Sequence, residues 1–201
     1  MLKNIVFLLV FFIVLPFSQW VTVGIVTTAT SCYIFAQDRS INHFISDNII
    51  ANIIKINLLN KSSYKNISVN VFEGRVLLTG KVTTLELKNN LTSLLWYTYG
   101  IKELLNDIVI DDSDFKFYNK NHTFLDAWII LKLKIKILLT RNTKIANYKI
   151  IVKNQIIYLL GIYVDKNELN DIINCARSIK NIVKIKNYII SINDIRRQSF
   201  L

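Results

Sequence analysis

Trp128, Lys132 and Lys136 recur at four-residue intervals in the segment DAWIILKLKIKILL, Asp126 to Leu139. Wound as a helix at about 100° per residue, the three fall within an arc of about 80°, with Ile129 at its edge. Apolar residues fill two further sectors: Leu131, Ile135 and Leu138 on one side, Ile130, Leu133 and Ile137 on another. One sector can pack on a sheet, which leaves the other for a membrane or a partner. Lysine stems laid along apolar surface beside an indole match the composition of an anionic phospholipid interface. The candidate lipid contacts are Trp128, Ile129, Lys132, Leu133 and Lys136. A plainer arrangement also fits, with Trp128 in a core and the lysines on a solvated edge.

Little else in the chain has the makings of chemistry. His43 and His122 stand where the two halves begin, without the acidic or cysteine neighbours that metal or acid–base sites need. No Gly-rich phosphate loop, HExxH or nucleophile elbow is present. Cys32 and Cys175 are too few for a disulfide framework, and Cys175 is expected as a buried, inert thiol on a helix. The expectation is a non-enzymatic protein with no catalytic residues, no metal and no cofactor.

Charge is unevenly spread. Asn42 to Asp112 holds seven basic and seven acidic residues, whereas Ser113 to Leu201 holds sixteen basic and six acidic, a net of +10. A bias of overall composition would not spare one half of the chain. The excess points to an anionic partner, a phospholipid surface or nucleic acid. A secretory leader demotes nucleic acid, so none is expected as a partner.

The elements that must position these residues come in two copies. ISVNVFEGRVLLTGKV, Ile67 to Val82, alternates apolar and polar residues, turns at Glu73-Gly74, and resumes in an apolar register; Gly80 ends its apolar run. KIIVKNQIIYLLGIYV, Lys149 to Val164, repeats the layout, with Gly161 lying 81 positions after Gly80. Ahead of the first hairpin, Ile45, Ile49, Ile53 and Ile56 predict a helix from about Ser46 to Leu59, capped by Ser46 or Asp47. After it, Thr83-Thr84-Leu85-Glu86 forms a capping box for a helix that Gly100 stops, and Ile101 to Ile110 reads as a third strand.

In the second half, Leu131, Leu133, Ile135 and Ile137 alternate with lysines as in a strand, but the repeat places Asp126 to Leu139 where the first helix sits and so predicts a helix. Thr123 to Asp126 can cap it, and Asp165 with Glu168 can cap the next helix. A strand from Ile182 to Ile192 follows, with Asn181 standing for Gly100. Asp111 to Asn121 is the linker.

The phrase VLLTGKV, the helix after it, and Tyr99-Gly100-Ile101 before LLNDIVI resemble the BON domain. The resemblance implies an α+β fold of two tandem αββαβ domains, at 42–112 and 122–194, each a three-stranded mixed sheet packed on two helices. With the Asp38-Arg39-Ser40 and Asp126-x-Trp128-Ile129 segments, the chain is similar to the dual-BON envelope lipoproteins. That resemblance implies phospholipid recognition by the second domain and a role in envelope integrity. The alternative is a protein–protein adaptor docking on an envelope complex through the same helix.

Residues 1–37 carry Lys3 and then an uncharged run from Asn4 to Gln37, densely apolar from Ile5 to Pro16. This reads as a signal peptide or a membrane anchor. Cys32, after Ala29-Thr30-Ser31, resembles a lipobox cysteine with alanine in place of leucine, and is the lipidation candidate. The expected location is the periplasm, peripheral or lipid-anchored at the outer membrane of a Gram-negative bacterium.

Overall fold

Ser40, in extended conformation, opens the first helix by accepting the Asn42 N–H at 3.3 Å. The structure, a computed structural model, describes residues 40–111, 120–141 and 143–197. The leader, Cys32, Asp38-Arg39 and most of the linker lie outside the described residues. Helix α1 spans Ile41–Leu59, so it starts before the expected Ser46. Asp47 is consequently an interior residue and not a cap.

Strand β1 (Ser68–Phe72) runs antiparallel to β2 (Arg75–Val82), with Ser68 opposite Thr79 and Phe72 opposite Arg75. Helix α2 (Leu85–Trp96) then returns the chain so that β3 (Glu103–Ile110) lies parallel to β2 on its other side. The order recurs as α3 (Lys120–Leu139), β4 (Tyr148–Lys153), β5 (Ile156–Tyr163), α4 (Lys166–Arg177) and β6 (Lys184–Ser191). The described residues therefore form two three-stranded mixed sheets, β1-β2-β3 and β4-β5-β6, the αββαβ duplication expected from the repeat. The alternation of α3 is settled in favour of helix.

Both hairpins turn on two left-handed residues, Glu73 and Gly74 (φ 53° and 76°) and Asn154 and Gln155 (φ 50° and 61°). That is the turn whose twist matches paired strands. A buried carboxylate holds each turn. Asp47 accepts the N–H groups of Glu73 and Gly74, both at 2.8 Å, and Asp126 accepts those of Asn154 and Gln155, both at 2.8 Å. These charge-assisted bonds offset the strain of a left-handed Gln155. They also fix the rotation of α1 and α3 about their axes.

Two local expectations need correction, and the strand glycines gain a reason. Gly80 and Gly161 lie inside β2 and β5, where a Cβ would come within 2.2 Å of the Asn66 carbonyl oxygen and 2.4 Å of the Asn147 carbonyl oxygen. Leu78-Thr79-Gly80 and Leu159-Leu160-Gly161 thus mark a backbone crossing in each sheet. Helix α2 is capped by Thr84, which accepts the Leu87 N–H at 3.2 Å, so Glu86 falls too early for the capping box. The same helix ends at Trp96, and Gly100 (φ 90°) shapes the turn into β3, as Asn181 (φ 63°) does before β6. Asp165 caps α4 as expected, accepting the Asn167 N–H at 3.3 Å, and Glu168 reaches back to the Val164 N–H at 3.2 Å.

Side chains on alternate faces of each sheet go to different cores. Val76, Leu78 and Val82 of β2 pack under α1 and α2, against Ile50, Ile54, Leu58, Leu91 and Leu95. Ile157 and Leu159 of β5 pack under α3 and α4 in the same way. The opposite faces meet each other: Phe72 and Leu77 from the first sheet join Tyr158, Leu160, Ile162 and Ile190 from the second in one buried cluster. The layers run helices, sheet, sheet, helices, which puts α1 and α3 on opposite outer sides.

The charged groups at this seam are paired. Arg75, 1% exposed, donates to Glu103 at 2.5 Å and to the Tyr188 carbonyl at 2.7 Å. Asp107 accepts from both Lys186 and the Tyr188 hydroxyl. Arg197, just after β6, grips the buried Glu73 through two bonds at 2.5 and 2.8 Å. Burial and the Asp107 charge push the Tyr158 phenol up to about 12, and burial with the Asp107 hydrogen bond raises Tyr188 as well.

Candidate functional site

The Asp126 clamp determines what α3 presents. Ile129, Leu133 and Ile137 follow Asp126 on one ridge and are sealed in the core against Tyr148, Ile150 and Val152 of β4. Ile129 and Leu133 therefore make no surface contact, and the sequence-based assignment of both to a lipid site is corrected: at 4% and 0% exposure they are core residues. Leu133 belonged to the sheet-facing sector, and Ile129 lay at the one edge of the arc that the clamp turns inward.

Trp128 lies two residues past Asp126, about 200° around the helix, and so projects outward. It is 48% exposed, which excludes the core placement. Phe124, Leu131, Ile135, Leu138 and Leu139 are exposed with it. Lys132 Nζ sits 5.0 Å from the centroid of the Trp128 ring, a cation–π pair that lays the lysine stem along the apolar face. Lys134 and Lys136 are exposed on opposite flanks. Lys136 donates to the Ser178 hydroxyl at 2.6 Å, which brings exposed Arg177 and Lys180 of the α4 end to the same border.

The outer face of α3 is therefore an indole and aliphatic strip rimmed by cations. Such a strip can enter the headgroup boundary while its lysines meet lipid phosphates. Three of the five residues expected to bind lipid, Trp128, Lys132 and Lys136, share this surface. Phe124, Lys134 and Leu139 were missed, although their helical spacing from Trp128, Ile135 and Leu138 was the available signal.

The remaining singled-out residues are elsewhere. His43 lines an open cleft of about 390 Å³ with Ile192, Asn193, Asp194 and Arg197. Arg196 binds Asp194 and holds its carboxyl well below the usual carboxylate range, while Glu73 holds Arg197, so the charges of the cleft are already paired. His122 falls within α3. Cys175 is half-buried rather than fully buried, with its Sγ 3.5 Å from the Thr140 hydroxyl. Among the described residues no group of three metal-ligating side chains converges, and no helix is long and apolar enough to cross a membrane.

A duplicated αββαβ module with a three-stranded mixed sheet defines the class of protein. The chain belongs to the BON domain family, which it matches twice in tandem, at residues 46–112 and 125–192. It is similar to an uncharacterized protein of the gshII 5′ region in Anaplasma centrale, 29% identical over 68% of this chain and 90% of the relative. It is also similar to the outer membrane lipoprotein DolP of Haemophilus influenzae, 27% identical over 59% of this chain and 60% of the relative. The 21 kDa hemolysin of Actinobacillus pleuropneumoniae is 22% identical over 75% of this chain and 78% of its own length.

Proposed function

We propose that this BON protein is a non-enzymatic envelope component that binds anionic phospholipid through the outer face of α3 and supports envelope integrity. The carrying observation is the exposed strip of Trp128, Leu131, Ile135 and Leu138 bordered by Lys132, Lys134 and Lys136. Electrostatics and burial act together there. Each cation near an anionic leaflet contributes about 1 kcal/mol, screened by salt, and the apolar strip adds a salt-insensitive part. The likeness to an outer membrane lipoprotein supports an envelope location, at the periplasmic face of the outer membrane. In this reading residues 1–37 serve as the signal or anchor, Cys32 carries any lipid, and the domains occupy 42–112 and 122–194.

Cosedimentation with phosphatidylglycerol vesicles tests the surface. Wild type binds and is released by salt in part; Trp128→Ala and Lys132→Glu/Lys136→Glu each bind at least tenfold more weakly. Equal binding by all three removes α3 as the lipid site. Salt-independent capture of a stoichiometric protein partner, without vesicle binding, replaces this reading with an adaptor docking through the same helix.

A further inference from the structure

Helix α1 carries an outward apolar face of its own. Ile41, Ile45, Ile49, Ile53 and Ile56 are 40–64% exposed, and Leu59 is 76% exposed. They cover an arc of about 120° directly opposite the buried ridge of Ile50, Ile54 and Leu58. Lys55 is the one exposed charged side chain of α1, and it lies outside the arc. Asn42 and Asn52 are the polar residues within it.

We infer that this face is a self-association surface, α1 against α1 of a second copy. Four observations select that occupant. Ile41, Ile45, Ile49 and Ile53 stand at successive four-residue steps and form one ridge; two copies of such a ridge interlock around a two-fold axis. Isoleucine is nearly fixed at χ1 in a helix, so ordering it at a contact costs little. The face is uncharged, so copies meet without repulsion, unlike the lysine-rimmed face of α3. Finally, the stacked sheets put α1 on the side of the molecule away from α3, where a bilayer under α3 gives no cover. The first three of these observations do not depend on α3 binding lipid; the fourth rests on that reading.

The exposed isoleucines present on the order of 500 Å² each side, or ~1,000 Å² in a dimer, at the lower limit of a specific interface. The dimer is accordingly weak and reversible. The test uses the full chain in a bacterial host, with two differently tagged copies and a photo-crosslinking amino acid placed at 49 or 170. Position 49 gives an adduct joining the two tags, and Ile45→Asp/Ile53→Asp reduces it at least tenfold. Position 170, on exposed α4, gives none. Vesicle binding by the double variant shows that its fold is intact, and a trypsin-resistance profile serves if lipid binding itself is absent. Adducts from position 49 to phospholipid, to a different protein, or to nothing at any expression level overturn the inference.

Discussion

Helices α1 and α3 occupy the same place in the two domains and are held there by the same device. Asp47 and Asp126 each take two turn N–H groups, so Ile49 and Trp128, two residues on, project outward at matching positions. Four residues further, Ile53 matches Lys132; then Asn57 matches Lys136. One scaffold thus shows water an isoleucine face in the first domain and an indole–lysine face in the second. The sheets need only the inner ridge of each helix. The outer ridge is free to take a partner, and its residue types decide which. Helices α2 and α4 make the contrast plain: Lys166, Asn167, Asn170 and Arg177 give α4 a polar outer side.

Removing the shared clamp is expected to have the largest effect. Asp47→Ala and Asp126→Ala each lose two charge-assisted bonds to the turn N–H groups and destabilise by about 3 kcal/mol, measured by urea unfolding. Only Asp126→Ala also weakens vesicle binding. If Asp47→Ala weakens it equally, the two outer faces are not independent.

The crossing glycines separate the domains by a smaller margin. Gly80→Ala and Gly161→Ala both push a methyl into a carbonyl oxygen and each cost at least about 2 kcal/mol. Gly80→Ala is worse by about 1 kcal/mol, because its φ of 127° is also hostile to a side chain. Equal losses would mean that the crossing alone decides.

Exchanging faces sharpens the comparison directly. Trp128→Ile/Lys132→Ile converts the second face toward the first and lowers phosphatidylglycerol binding about tenfold, since one cation near the leaflet is worth about 1 kcal/mol before the indole is counted. Ile49→Trp/Ile53→Lys confers a weaker, salt-sensitive affinity on the first domain. No gain there would show that Arg177 and Lys180 at the end of α4, which have no counterpart at the end of α2, are indispensable.

The smallest effect concerns the seam between domains. Tyr158 and Tyr188 have raised pKa values in the folded protein, so above pH 10 the unfolded chain loses these protons first. Stability is full below about pH 10 and declines as pH rises toward 12, the Tyr158 value. Tyr188→Phe flattens that decline in thermal melts. An unchanged alkaline slope in the variant would locate the loss elsewhere.

Much of this was legible from residues alone. Glu73-Gly74 announced the first hairpin, and the repeat of its layout gave the second and overruled the strand-like alternation of α3. The two apolar sectors of α3 were also visible, one buried and one exposed as it turned out. Their assignment slipped at Ile129 and Leu133 because periodicity gives spacing without absolute rotation. A lone acid in an apolar ridge, Asp47 or Asp126, was the overlooked signal for that rotation. The docking of the sheets had a signal too: IIYLLGIY in β5 is apolar on both faces, as a strand covered twice must be.

Local periodicity, turn chemistry and duplication are short-range properties, and the chain alone determined them: two αββαβ modules, their order, and a basic second half. Contacts between residues far apart in the chain were decided only in three dimensions. Asp126 meeting Asn154 and Gln155 turned Trp128 to the outside, and Asp107 meeting Lys186 and Tyr188 set the sheets face to face. Each depends on which distant donors a buried charge meets, and the spacing of neighbouring residues marks the charge without naming those donors.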